Sequence, residues 1–267
     1  SYDGFVVAIG TPDNSDNLLQ TGGEGYVKIY RYDENLKMWI QKGLNIQHEN
    51  IHDVTGYSVS LSADGSILAI GSPFNDGNGE NSGHVRVFKY NGTNSWDQIG
   101  PNINGEAQND RSGVSVSLSA DGLVVAIGAW WNGQENSGHV RVFKYNGTDA
   151  WDQQGENIIG ESEYDQLGTS VSLSADGLVV AIGARLNDGE INELHDNRGH
   201  VRIYKYDPNK TTAQLDNPKL ENYGPVGWNR IGQDIDGEAA NDESGAAVSL
   251  SADGSVVAIG ARYNDGS

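Results

Sequence analysis

The chain of 267 residues contains no cysteine, so no disulfide or thiolate metal site can form, and cysteine usage leaves the redox compartment open. Proline is sparse, at 6 residues, and there is a single methionine. Basic residues are also scarce: 17 Lys and Arg stand against 37 Asp and Glu, a formal charge of −20. A surface this acidic repels phosphate backbones and anionic headgroups, so neither nucleic acid nor a membrane surface is an expected partner. Long apolar runs are missing. The longest, near Leu123–Ile127, falls far short of the ~20 residues that span a bilayer, so no membrane insertion is expected of this segment. No stretch has the apolar period of a helix. There is no Gly-x-Ser-x-Gly elbow, no phosphate-cradling glycine loop and no cysteine nucleophile, so no catalytic constellation stands out.

What is present is repetition. The phrase Ser-Ala-Asp-Gly, followed by an apolar run ending in Ala-Ile-Gly, occurs at Ser62–Gly71, Ser119–Gly128, Ser174–Gly183 and Ser251–Gly260. A worn copy opens the chain at Ser1–Gly10. Such a period means one supersecondary unit reused, each copy too small to bury its own apolar face. The repeats divide as 1–61, 62–118, 119–173, 174–250 and a partial 251–267, all within one region, 1–267. Both ends fall inside a repeat, so the chain reads as a piece of a longer polypeptide.

One unit can be read as four strands. Val114–Ser119 alternates apolar and small residues, the period of a strand with unequal faces. Ala120-Asp121-Gly122 is a tight turn. Leu123–Ile127 is a continuous apolar run rich in β-branched residues, which predicts burial on both faces. His139–Tyr145 alternates again, Asn146-Gly147 signals a hairpin, and Trp151–Gly155 begins a polar fourth strand at the outer edge. The fourth strand recurs at Trp39, Trp96 and Trp228, each with Gly four residues later. Four antiparallel strands, repeated, predict an all-β protein of β-propeller blades, forming part of a larger ring. A solenoid is the alternative.

The run Ser112–Ala129, followed by Gly138-His-Val-Arg-Val-Phe143, resembles the FG-GAP repeats of integrin-α-like propellers, and the resemblance extends over essentially the whole chain. It implies a propeller, usually seven-bladed, used outside the cell for adhesion or ligand binding. Integrin repeats commonly carry an Asp-x-Asp-x-Asp-Gly calcium loop. The matching turns here hold one carboxylate each (Asp64, Asp121, Asp176, Asp253), too few for the six to eight oxygens of calcium. The family's metal ligands therefore do not carry over.

Other candidates come from the loops. Asn75, Asp76, Asn78 and Glu80 alternate oxygen side chains around glycines and form a weak Ca²⁺ candidate; the plainer reading is an Asx-rich turn. No cofactor is required by the pattern. Asp53, Asp110, Asp165 and Asp242, each three residues before a Gly, are expected to bond the N–H groups of their own turns. His84, His139 and His200 share one repeat position, which distributes them around a ring rather than onto one metal. Sequons place candidate glycosylation at Asn91, Asn146 and Asn209.

Symmetry breaks at two places. Trp130-Trp131 stands where other copies have Pro73-Phe74, Arg185-Leu186 and Arg262-Tyr263, and Asp207–Gly227 is an insertion between strands three and four. Trp130 and Trp131 are the expected binding residues, by stacking on a glycan or anchoring a protein; packing against a neighbouring blade is the alternative. The expected function is a non-catalytic extracellular or cell-surface adhesion propeller that presents loops to a protein or glycan partner. The alternatives are a self-associating structural subunit of a fibre or coat, and a polysaccharide hydrolase or lyase with an axial site.

Overall fold

A computed structural model describes residues 1–12, 25–131, 136–189, 196–215 and 222–266. The described residues form five antiparallel sheets and no helix. The third sheet shows the unit. Ser115–Leu118 pairs with Val124–Ala129, which pairs with His139–Tyr145, whose outer edge takes Trp151–Gln153 and, further along, the short Ile158–Ile159. The predicted fourth strand is thus split in two. The second sheet (from Ser58–Leu61 to Ile103–Asn104) and the fourth (from Leu167–Leu173 to Ile235–Asp236) are built alike. The first sheet has strands two to four, Val6–Thr11 onward, and the fifth has strands one and two, Ser244–Leu250 and Val257–Ala261. This is a β-propeller arrangement, and the solenoid alternative falls away.

First strands of successive sheets lie against one another, which puts them on the inner wall and the Trp-bearing strands outside. The second strands are buried over their whole length in the three complete sheets, as the β-branched run predicts. Their glycine permits the packing. A Cβ on Gly128 would stand 2.1 Å from the carbonyl oxygen of Gly168 in the next sheet, and the same approach recurs from Gly71 to Gly113 and from Gly183 to Gly245. Only a residue without a side chain lets two backbones come this close.

The serines of the first strand tie neighbouring sheets together. Ser58 Oγ donates to Gly113 O, Ser115 Oγ to Gly168 O and Ser170 Oγ to Gly245 O, each at 2.7 Å. The Ser-Ala-Asp-Gly turns add backbone bonds between sheets: Ala63 N to Ala120 O, Ala120 N to Ala175 O, and Ala175 N to Ala252 O. Within each turn the Asp carboxylate is consumed locally; Asp121 accepts from Ser119 Oγ and from the Leu123 N–H. At the outer edge each Trp reaches back one sheet. Trp151 Nε1 donates to Ile99 O and its ring covers Gly100; Trp96 does the same over Gly43, and Trp228 over Gly155. The Trp-x-x-x-Gly spacing is therefore a clip between sheets, closed by the Trp of one and the Gly of the sheet before it. Trp39, in the first sheet, is 46% exposed.

Candidate active site at the inner mouth

The four repeated aspartates shape the loops that lead into the first strands. Asp110 Oδ2 accepts the N–H groups of Glu106 and Ala107 at 2.8 Å, and Asp53, Asp165 and Asp242 act alike within their own turns. Asn75 and Asn264 add a strap to Asp53 and Asp242. The residue that follows each aspartate is left-handed: Val54, Arg111, Gln166 and Glu243 have φ between 51° and 57°. Such a backbone costs on the order of 1–3 kcal/mol per residue and collects at functional sites. Here two of these side chains, Gln166 and Glu243, meet Arg185 at one end of the inner wall.

That end is a cavity of about 300 Å³. One residue from the start of each first strand lines it, Tyr57, Val114, Thr169 and Ala246, together with Trp130, Arg185 and Arg262 from the loops after second strands. Convergence of four equivalent positions identifies it as the inner mouth of the ring of blades. Glu243 joins its cations: Arg185 Nη1 lies 3.1 Å and Arg262 Nε 2.8 Å from Glu243 Oε2. Arg185 Nε also donates to Gln166 Oε1. The same guanidinium lies over the Trp130 ring at 5.3 Å, while Arg111 is sandwiched between Phe74 and Trp131. Both tryptophans are half-buried, and Trp130 lines the cavity. The Trp130 indole N–H is buried and has no acceptor among the described residues.

Comparison with known proteins supplies the fold and corrects the function. No family model matches the chain, and no curated protein matches it. Solved structures do. A periplasmic gluconolactonase from Pseudomonas aeruginosa matches 97% of this chain, with a TM-score of 0.58 at 17% identity. A protein provisionally assigned as a 6-phosphogluconolactonase from Bacteroides fragilis matches 89%, with a TM-score of 0.51 at 12% identity. This chain is a β-propeller. It spans 62% and 53% of the lengths of those two proteins. The likeness supports the propeller and not the FG-GAP class within it. It also overturns the expectation of a non-catalytic adhesion module, and with it the expectation that the chain is not an enzyme: the similar propellers are described as lactonases, which are hydrolases.

The remaining predicted residues lie elsewhere. Asn75 Oδ1 accepts from Gly77 N, Asp76 Oδ1 from Asn81 N and Glu80 Oε2 from Gln108 Nε2, while Asn78 Nδ2 donates to the carbonyls of Gly105 and Glu106. The loop uses its polar atoms to brace itself and the loop beside it. Asn91, Asn146 and Asn209 are exposed, after the third strands. His84, His139 and His200 are each buried in their own sheet and pushed down to about 3, first by burial and then by the neighbouring arginine, Arg86, Arg141 or Arg202. Part of the insertion, including Pro218, lies outside the described residues, as does 132–135 in the loop after Trp131. Sequence reading missed Glu243. Its signal was variation: at the position after the repeated Asp, the copies read Val, Arg, Gln and Glu.

Proposed function

We propose that the inner mouth is a hydrolytic site for a sugar-derived ring ester. The observation that carries this is the Glu243 carboxylate held between Arg185 and Arg262 at the mouth of a propeller whose fold is shared with a gluconolactonase. Glu243 is the base that takes a proton from water as the oxygen attacks the lactone carbonyl carbon. Negative charge gathers on the former carbonyl oxygen, where Arg185 and Arg262 supply fixed positive charge. The ring C–O bond then breaks, the departing oxygen takes the proton back from Glu243, and a hydroxy acid is left. That acid gives its proton to solvent, and the resulting carboxylate pairs with the same two guanidiniums. Trp130 forms an apolar side of the mouth, and its free indole N–H is a donor for a substrate hydroxyl. Work outside the cytoplasm goes with this reading, since one of the two similar propellers is periplasmic.

The test is acid release from glucono-1,5-lactone in a pH-stat, against the spontaneous rate. The expected result is acceleration that falls by roughly 10²–10⁴-fold in Glu243→Gln. Trp130→Ala is expected to raise KM by up to about tenfold with less effect on kcat. A wild-type rate equal to the spontaneous one, across glucono- and related aldonolactones, would overturn the assignment.

A further inference from the structure

Away from the mouth, between the third and fourth sheets, the repeat is rewritten at several positions in and beside one cavity. At the regular junctions a neutral pair braces the outer edge: Gln98 Nε2 donates to Asn102 Oδ1, and Gln153 Nε2 to Asn157 Oδ1, both at 2.9 Å. The free amide of that Asn then donates to a glutamate of the preceding sheet, Asn102 to Glu49 and Asn157 to Glu106. In the fourth sheet the pair has become Arg230 and Asp234, 2.8 Å apart. Two carboxylates, Asp234 and Glu161, now stand where an amide and a carboxylate stood. Arg202 and Arg230 together balance them. Arg202 forks onto Asp234 with Nε at 2.8 Å and Nη2 at 2.7 Å, and Nη2 also contacts Glu161.

Two more changes join these. Tyr204 replaces Phe88 and Phe143, adding a phenol at the same register position. The insertion contributes Leu215, Tyr223 and Pro225 as an outer wall, with Arg230 lying 4.7 Å over the Tyr223 ring. The cavity so enclosed is about 260 Å³, below the ~300–1,000 Å³ of pockets for drug-sized ligands and sized for one small ring. Its walls are mixed. Ile158, Tyr223 and Pro225 give apolar faces, while Glu161, Arg202 and Asn157 give acceptors and donors.

Glu161, His200 and Asp234 also bring three ligand-type atoms within 4.8 Å of one another. A divalent cation there would meet the Arg202 guanidinium, which already holds both carboxylates. The set therefore favours a neutral ligand that both donates and accepts.

We propose that this cavity is a second binding site, separate from the mouth, for a single polyhydroxylated ring: a neutral monosaccharide or one residue at the end of a glycan. An aromatic and a proline ring cover its apolar face, and an ion-paired carboxylate and guanidinium read its hydroxyls.

The experiment is calorimetric titration of the whole chain with D-glucose, D-galactose, D-mannose and D-xylose, and separately with Zn²⁺. Saturable binding of at least one sugar is expected. Tyr223→Ala should weaken it by roughly tenfold, the contribution of one stacking partner. The double change Arg230→Gln with Asp234→Asn, which restores the pair of the regular junctions, should abolish it and leave the melting temperature close to wild type. Glu243→Gln should leave it intact, whether or not the mouth proves hydrolytic. Binding of none of the four sugars, sugar binding indifferent to Tyr223→Ala and to the double change, or saturable Zn²⁺ binding that the double change removes, would each overturn the proposal.

Discussion

The junction between the second and third sheets and the junction between the third and fourth share a frame but differ in what the frame carries. Both have the glycine-to-glycine approach, the serine bond to a glycine carbonyl and the Trp clip. At the second-to-third junction Arg141 Nη2 donates to Asn104 O at 2.7 Å, and the outer-edge braces are neutral amides. At the third-to-fourth junction the equivalent Arg202 is locked between two carboxylates, and a cavity opens beside it. The lesson is that the backbone and glycine contacts hold the architecture, which leaves the outer-edge polar positions free to be rewritten in one copy without loss of the others.

Acid titration should give the largest effect and separates the junctions below pH 4. His84, His139 and His200 are held near 3, while an unfolded histidine titrates near 6.5. The unfolded chain therefore binds more protons between those values. Stability is complete above about pH 6.5 and is lost as pH falls toward 3, by an amount on the order of a few kcal/mol per ring. Asp234 adds a later step at the third-to-fourth junction only. Burial raises its carboxyl, but the hydrogen bonds and charge of Arg202 outweigh burial and set it below the ordinary range. Its contribution is present above about pH 4 and is lost below. Melting temperatures across this range, for the wild type and for His139→Asn and His200→Asn, check both steps; a flat profile between pH 6.5 and 4 would contradict the first.

Placing a methyl group on the shared glycines comes next. Gly71→Ala and Gly128→Ala each drive a Cβ into a backbone carbonyl and should cost about 3 kcal/mol, at the upper end of overpacking, and equally at the two junctions. Denaturant midpoints would show whether the costs match. Loss of the arginines should divide the junctions. Arg202→Met leaves Glu161 without its guanidinium and Asp234 with Arg230 alone, and should cost about 2–3 kcal/mol, below the figure for a fully buried pair because Glu161 is 40% exposed. Arg141→Met removes a bond to a carbonyl and should cost about 1 kcal/mol. Equal losses would mean that the charge cluster adds nothing. The smallest effect belongs to the serines: Ser115→Ala and Ser170→Ala should each cost about 1 kcal/mol in urea unfolding.

Much of this architecture is legible in the linear chain because strands report their own burial. The unbroken Val124–Ala129 run reads as a two-faced strand, Asn146-Gly147 as a hairpin and Trp151 as the start of an outer edge, and the fold has each of them there. The Trp-x-x-x-Gly spacing was visible but not its purpose, because the clip closes onto a glycine of the preceding sheet, as Trp151 does on Gly100. The mouth was half legible. Arg185 and Arg262 were noted as counterparts of Trp130, but Glu243 comes from a different loop and meets them only when the first strands converge. The change from Gln153 and Asn157 to Arg230 and Asp234 is readable once the copies are aligned residue by residue. Its weight depends on Arg202 and Glu161, which no spacing along the chain connects to it.

The bonds between Ser-Ala-Asp-Gly turns form a relay, from Tyr2 N to Ala63 O, then Ala63 N to Ala120 O, Ala120 N to Ala175 O and Ala175 N to Ala252 O. Every member is a main-chain group, so the relay is blind to side-chain identity. A copy that is duplicated, lengthened or exchanged for a diverged one presents the same N–H and the same carbonyl to its neighbours. The worn first copy, which has Tyr2 where the others have alanine, is already an example. Such a coupling behaves like a standard thread on interchangeable parts: blades can drift and specialise one at a time, because what joins them is not written in the residues that change.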